Sequence, residues 1–161
     1  MNLKDKVFIV TGASSGIGEE LCKQLSSSGS LIVCAARRLD QLERVCEQIN
    51  NAGGISIPVQ ADVTALDQCQ ELVNQTIDAF GRIDAVVLNA GISMWARFEE
   101  ITDLAFFKDL IDVNYLGAVN CVFASLPKEL NMGILTFKPK SEEPYHFCSL
   151  SVKVNSLLFP V

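Results

Sequence analysis

The stretch Thr11-Gly12-Ala13-Ser14-Ser15-Gly16-Ile17-Gly18 joins a short apolar run, Lys6–Thr11, to an amphipathic one, Gly16 to Ser27. No other feature of the chain restricts its fold as much. Glycine lacks a β-carbon, so the backbone can turn tightly from strand to helix and lie close to a ligand. The N–H groups that open the helix have no intrahelical acceptor, and the positive end of the helix dipole lies beside them. Such a turn can hold a pyrophosphate, with Ser14 and Ser15 as added hydroxyl donors. A purely structural strand-to-helix connection uses glycine in the same way, so the surrounding segments must decide between the two.

Those segments alternate short apolar runs with longer amphipathic ones, the pattern of strand–helix–strand units in a parallel sheet covered by helices on both faces. Strands are expected at Lys6–Thr11, Leu31–Ala36, Ile55–Gln60 and Ala85–Leu88. The first helix is expected from Gly16 to Ser27, with Ile17, Leu21 and Leu25 as its apolar stripe and Gly29 after its end. A second runs from about Asp40 to Asn51, where Asp40 and Glu43 have the spacing of a capping box. A third is expected from about Ala65 to Phe80, and a long fourth from about Asp103 to Ser125, stopped near Pro127. Beyond Leu126 the pattern weakens. Gly133–Phe137 is a candidate fifth strand, followed by the polar, proline-broken run from Lys138 to Pro144.

Composition narrows the function classes. With 161 residues, 49% of them hydrophobic, the chain can fill one core. A formal charge of -6 repels a phosphate backbone, so nucleic acid is not an expected partner and any phosphate site must be local. The N-terminus enters an apolar strand pattern at once, without the regions of a signal peptide, and a cytoplasmic location is expected. No apolar run approaches the roughly 20 residues of a membrane span. Six cysteines lie scattered without a CxxC pair and read as reduced packing residues, and His146 has no partner at metal-ligand spacing, so no metal site is expected.

The glycine spacing is Gly, three residues, Gly, one residue, Gly, preceded by Thr, and this TGxxxGIG form resembles that of the short-chain dehydrogenase/reductase family. Asp62-Val63 after the third strand matches the family's Asp-Val pair, which faces the adenine ring. Asn89-Ala90-Gly91 after the fourth strand matches its NAG motif beside the cofactor. Asn114, within Ile111-Asp112-Val113-Asn114-Tyr115-Leu116-Gly117, matches the helix asparagine that supports the active-site proton relay. Each also has a plainer reading: Asp62 as a helix cap, Asn89-Ala90-Gly91 as an ordinary turn, Asn114 as a satisfied buried amide. The resemblance runs from about Lys4 to Leu130. It implies an α/β fold, an incomplete doubly wound parallel sheet of Rossmann type in a single domain spanning 1–130, with 131–161 as a divergent tail.

It also implies a nicotinamide cofactor. An NAD site usually places an acid about twenty residues past the glycine turn, on the ribose hydroxyls. Ala36 stands there instead, followed by Arg37 and Arg38, whose guanidinium groups suit a 2′-phosphate. NADP(H) is therefore expected over NAD(H), against the alternative that both arginines are solvated surface charges.

The family's carbonyl chemistry needs a Tyr acid/base, a Lys four residues later that lowers its pKa, and a Ser that orients the substrate oxygen. With a fifth strand at Gly133–Phe137, the Ser position falls on Lys138 or Pro139, and the Tyr and Lys positions near Ser151 and Asn155. The only tyrosines are Tyr115 and Tyr145, and Tyr145 is followed four residues later by Ser149. Ser141, Tyr145 and Lys153 lack the relay's spacing. The resemblance thus implies an oxidoreductase on a small alcohol or carbonyl substrate that is inactive in this form, as a truncated gene, a frameshift or an alternative transcript would produce. The competing expectation is a non-catalytic nucleotide-binding or interaction module, pairing with itself or a full-length relative through the helix around Asn114. An uncovered sheet edge is expected to favour self-association.

Overall fold

A computed structural model describes residues 3–93 and 96–126 of the chain. Within them β1 (Val7–Thr11), β2 (Leu31–Ala36), β3 (Ile55–Gln60) and β4 (Ala85–Val87) form one sheet in the order β3-β2-β1-β4, all neighbours parallel. Helices α1 (Gly16–Ser27), α2 (Leu39–Asn51) and α3 (Leu66–Phe80) make the crossovers. After β4 come a 3-10 turn (Phe98–Glu100), α4 (Ala105–Ile111), a π-helical stretch (Asp112–Leu116) and α5 (Gly117–Ser125). The candidate strand at 133–137, the relay candidates Ser141, Tyr145 and Lys153, and His146 lie outside the described residues.

Alternation along the strands builds two core layers. Phe8 and Val10 of β1 pack with Ile32 and Cys34 of β2 against Leu42, Val45 and Ile49 of α2 and Cys22 of α1. Ile9, Val33, Ala35 and Val59 face the other way, onto Leu72 of α3. A third cluster, Val63, Cys69, Cys121 and Ala124, joins α3 to α5. Full burial of each large aliphatic side chain contributes about 1.5–3 kcal/mol. Among the described residues β3 is an edge strand, a place where Pro58, unable to donate to a ladder, is tolerated.

β4 has only β1 as a strand partner among the described residues, and polar bonds fix it at both ends. At one end the Asp84 carboxylate accepts from the Val7 N–H (2.9 Å) and from Lys6 Nζ (3.0 Å), and pairs with Arg82. Burial alone raises the Asp84 carboxyl, but those three donors together hold it below the usual carboxylate range. At the other end Thr11 Oγ1 donates to the Val87 carbonyl (3.2 Å) and accepts the N–H groups of Asn89 and Ala90 (3.0 Å each).

Within the described residues the expected elements form, with four local departures. On α1 the buried ridge is Gly18, Cys22 and Ser26, while Ile17 is 80% exposed; small residues let the helix lie close to the sheet, and Leu21 and Leu25 flank that contact. The capping box at Asp40 does not form: α2 starts at Leu39 with Arg38 as its N-cap, and Asp40 lies in the first turn, where its charge meets the helix dipole. The N-cap of α3 is Ala65, so Asp62 does not cap that helix. The long last helix starts at Ala105 and carries the π-helical stretch around Asn114.

Candidate functional site

The glycine turn is a strand-to-helix bend whose three glycines do different jobs. Gly12 has φ +68°, and a Cβ there would lie 2.8 Å from the Ala90 Cα. At Gly18 a Cβ would meet the Gly12 carbonyl oxygen at 2.4 Å and Asn89 Nδ2 at 2.5 Å, so this glycine sets how closely α1 approaches the strand ends. Gly16 (φ +59°) has nothing within 4 Å of where a Cβ would be, which leaves open space over the start of α1. Ser15, the N-cap, makes no side-chain cap bond. With Ile17 turned outward, the first N–H groups of α1 remain available to an anion.

A cleft of about 170 Å³ opens at the carboxyl ends of the strands. Of the expected site residues it is lined by Gly12, Ser14, Ser15, Arg37, Arg38, Asp62, Val63, Ala90 and Gly91. Arg38 Nη2 donates to Ser14 Oγ (3.0 Å) and Ser15 Oγ (3.2 Å). Neither Arg37 nor Arg38 is in an ion pair among the described residues. In contrast, Glu19 in the first turn of α1 is tied to Lys23 (2.7 Å) and Arg44 (3.0 Å). The Lys23 bond, seconded by Arg44, holds its carboxyl below the usual range against partial burial. The acid in the first turn of α1 is therefore matched with cations, while the two arginines, which share the cleft wall with Asp62, are in no ion pair among the described residues. Such a donor set, with open space at Gly16, fits a phosphorylated ligand.

Asp62 Oδ1 accepts both the N–H (2.9 Å) and the hydroxyl (2.8 Å) of Thr64. That bond shapes the loop into α3 and leaves Asp62 beside Val63 on the cleft wall. Val63 is pressed under Gly117, where a Cβ would come within 2.6 Å of its Cγ2. Asn89 Nδ2 donates to the carbonyls of Thr11 (3.0 Å) and Gly12 (3.3 Å), so this side chain braces the turn and is not part of the cleft wall. Asn114 Nδ2 donates to the Ile92 carbonyl and its Oδ1 accepts the Ile92 N–H, both at 2.8 Å. Its amide thus anchors the loop after Gly91 to the π-helical stretch, and the residue remains exposed.

Some functional positions were not singled out in sequence. Thr11 is the hydroxyl hub that links the glycine turn to Asn89 and Ala90, and its signal was its place directly before Gly12 on a buried strand. Ala61, Ile92 and Val113 also line the cleft, and only their neighbours in the motifs pointed to them; Ala36, expected at the ribose-acid position, lines it too. Asn120 donates to the carbonyls of Val63 (3.0 Å) and Thr64 (3.3 Å), tying the loop before α3 to α5. Among the described residues, no group of His, Cys, Asp and Glu is arranged to hold a metal ion, and no helix is long and apolar enough to cross a membrane.

The family model for short chain dehydrogenase matches residues 6–133. The chain is 41% identical over 127 residues to 11-beta-hydroxysteroid dehydrogenase 1A of Arabidopsis thaliana, a match covering 78% of this chain and 36% of that protein. It is 38% identical over 127 residues to an uncharacterized oxidoreductase of Listeria innocua, covering 79% of this chain and 51% of the other. Among solved structures, a short-chain type dehydrogenase/reductase from Mycobacterium marinum superposes with a TM-score of 0.73 at 32% identity, over 77% of this chain and 50% of that one. A hydroxysteroid dehydrogenase from Escherichia coli gives 0.71 at 26% identity, over 77% of this chain and 53% of that one. The chain therefore spans from about a third to about half the length of these relatives.

Proposed function

The chain belongs to the short-chain dehydrogenase/reductase family, and from that premise we propose that its cleft binds a nicotinamide dinucleotide, NADP(H) in preference to NAD(H). The observation that carries this reading is the guanidinium couple, Arg37 and Arg38, in no ion pair among the described residues, at the cleft where Ala36 replaces the usual ribose-binding acid. Gly12, Ser14, Ser15 and the opening N–H groups of Gly16, Ile17 and Gly18 hold the pyrophosphate. Arg38, already bonded to both serine hydroxyls, takes the 2′-phosphate with Arg37. Asp62 and Val63 border the adenine, and Asn89, Ala90 and Gly91 flank the cofactor at the sheet centre. Asn114 is a positioning residue, fixing Ile92 and with it the loop after Gly91.

Calorimetric titration tests this. NADPH should bind at least about tenfold more tightly than NADH, the worth of one added charge-assisted bond. Arg38→Ala should remove most of that preference. NADH binding as tight as NADPH in the unaltered chain overturns it.

When bound, the nicotinamide supplies or accepts hydride, and the family's substrates are small alcohols or carbonyls. The chain's own contribution to such a reaction is binding and orientation, because the sequence has no YxxxK to move the proton and no matching Ser to orient the substrate oxygen. We read the chain as inactive in hydride transfer by itself. Robust NADPH-dependent reduction of a panel of carbonyl compounds, the hydroxysteroid class named for its relatives included, would show otherwise.

A second reading has its own observation. Ile111, Tyr115, Val119 and Phe123 recur at a spacing of four along α4, the π-helical stretch and α5, and all are exposed. A face of this kind suits a module that binds nucleotide and pairs through this helix, with itself or with a relative. Light scattering over a range of concentrations decides it, and a monomer throughout that neither binds nor co-purifies with a relative removes this reading.

A further inference from the structure

Two cysteines far apart in sequence meet in the third core cluster. Cys69 lies in the first turn of α3 and Cys121 in the last two turns of α5, and their sulfurs are 3.8 Å apart. They are 1% and 3% exposed. Each is also placed by a second bond or contact: Cys69 Sγ is 3.5 Å from the Val63 carbonyl oxygen, which also accepts from Asn120, and Ser125 donates to the carbonyl of Cys121. Either sulfur can donate to the other; contact with Cys121 lowers the Cys69 thiol against its burial, and contact with Cys69 together with burial pushes the Cys121 thiol up.

We propose that Cys69 and Cys121 form an oxidisable pair that closes to a cystine and staples α3 to α5 beneath the Asp62-Val63 wall of the cleft. The oxidant is a small hydroperoxide. The Cys69 thiolate attacks one peroxide oxygen, an S–O bond forms, the O–O bond breaks, and the leaving oxygen takes a proton to become water. The Cys121 sulfur then attacks the Cys69 sulfenic acid. An S–S bond forms, the S–O bond breaks, and the departing hydroxyl leaves as water with the Cys121 proton. Two thiols and one hydrogen peroxide give one cystine and two waters.

Buried thiols are usually inert, so access decides the matter. Hydrogen peroxide is little larger than water, and α5 ends four residues beyond Cys121, so opening of its last turn is enough to admit it. The resolving sulfur is already in contact with the attacked one, so a sulfenic acid on Cys69 meets Cys121 before it meets a second peroxide. Closing the pair from 3.8 Å to about 2.05 Å requires the two helices to move together by under 2 Å, within the give of side-chain rotation and small helix shifts.

The test is peptide mapping of the full chain, purified reduced, treated with hydrogen peroxide, then unfolded in an alkylating agent. A linked pair of peptides containing Cys69 and Cys121, lighter by two hydrogens than the two thiol forms and returned to them by dithiothreitol, is the expected product. It should be the major cystine, and it should persist in C46A while vanishing in C69S. If C69S does not fold, the unaltered chain still decides. Recovery of Cys69 and Cys121 as alkylated thiols while other cysteines oxidise, a bridge from either to Cys148, or Cys69 found as sulfinic acid overturns the proposal. None of these outcomes depends on whether the cleft binds a nucleotide.

Discussion

β1 and β4 lie side by side in one sheet, yet all five residues of β1 are buried and all three of β4 are half-buried. The β1-β2-β3 side has strands and helices on both faces, and its apolar side chains find partners there. The β4-α4-α5 side leaves Leu104, Ile111, Tyr115 and Phe123 exposed. β1 is held by packing across its whole length, whereas β4 depends on polar bonds at its two ends. Full burial dominates along β1, while β4, whose side chains are only partly buried against the core clusters, relies more on the polar bonds that attach its ends to β1.

Substitutions can break or sharpen this contrast. Ile9→Ala, in the fully buried strand, should cost about 3–4 kcal/mol in chemical denaturation, and a cost below about 1 kcal/mol would mean that β1 is not the packed centre. Gly18→Ala should cost about 2–3 kcal/mol, since its Cβ meets backbone and an amide at under 3 Å, and nucleotide affinity should fall with it. Gly16→Ala, with open space but positive φ, should cost only about 1 kcal/mol; equal penalties at the two glycines would refute the division of labour between them.

Thr11→Val tests the attachment of β4. It removes an acceptor from two N–H groups and a donor to Val87 while keeping volume, so about 2 kcal/mol should be lost, with the amides of Asn89 and Ala90 exchanging faster than those of β2. The smallest effect concerns acid stability. The folded-state pKa of Asp84 is lowered, so its contribution is fully present above the unfolded value near 3.9 and is lost as pH falls through the folded value. Thermal melts below about pH 4 should decline less steeply for Asp84→Asn, which is already weakened at neutral pH. Identical slopes for the two proteins would show that this attachment does not titrate.

Much of the fold was legible because its signals are local. The buried strand β2 is an unbroken apolar run, and β3, with apolar residues at alternate positions, also falls within its expected bounds. The helix stripes were harder: Ile17 satisfies the apolar period of α1, but the close approach of Gly18 to the Gly12 carbonyl rotates the small residues inward and Ile17 out. Asp40 and Glu43 satisfy a capping pattern, yet the chain enters α2 one residue earlier, straight from the cleft residue Arg38. The fold class and the family follow from motif and order, and the matching family model spans residues 6–133. For the site, Asp62 and Asn89 were visible as motif residues, but not that Thr64 holds the first and that the second braces the turn.

By itself the sequence determined which backbone can turn where: the glycine spacing, the apolar runs and the arginines after β2 depend on covalent structure and neighbours a few residues away. Only the tertiary structure decided which distant groups share a hydrogen bond. Arg38 on Ser14 and Ser15, Asn114 on Ile92, and Cys69 against Cys121 each join residues from 22 to 52 positions apart. Such pairings depend on strand order and helix placement, which the packing of the whole sheet fixes and no local pattern encodes.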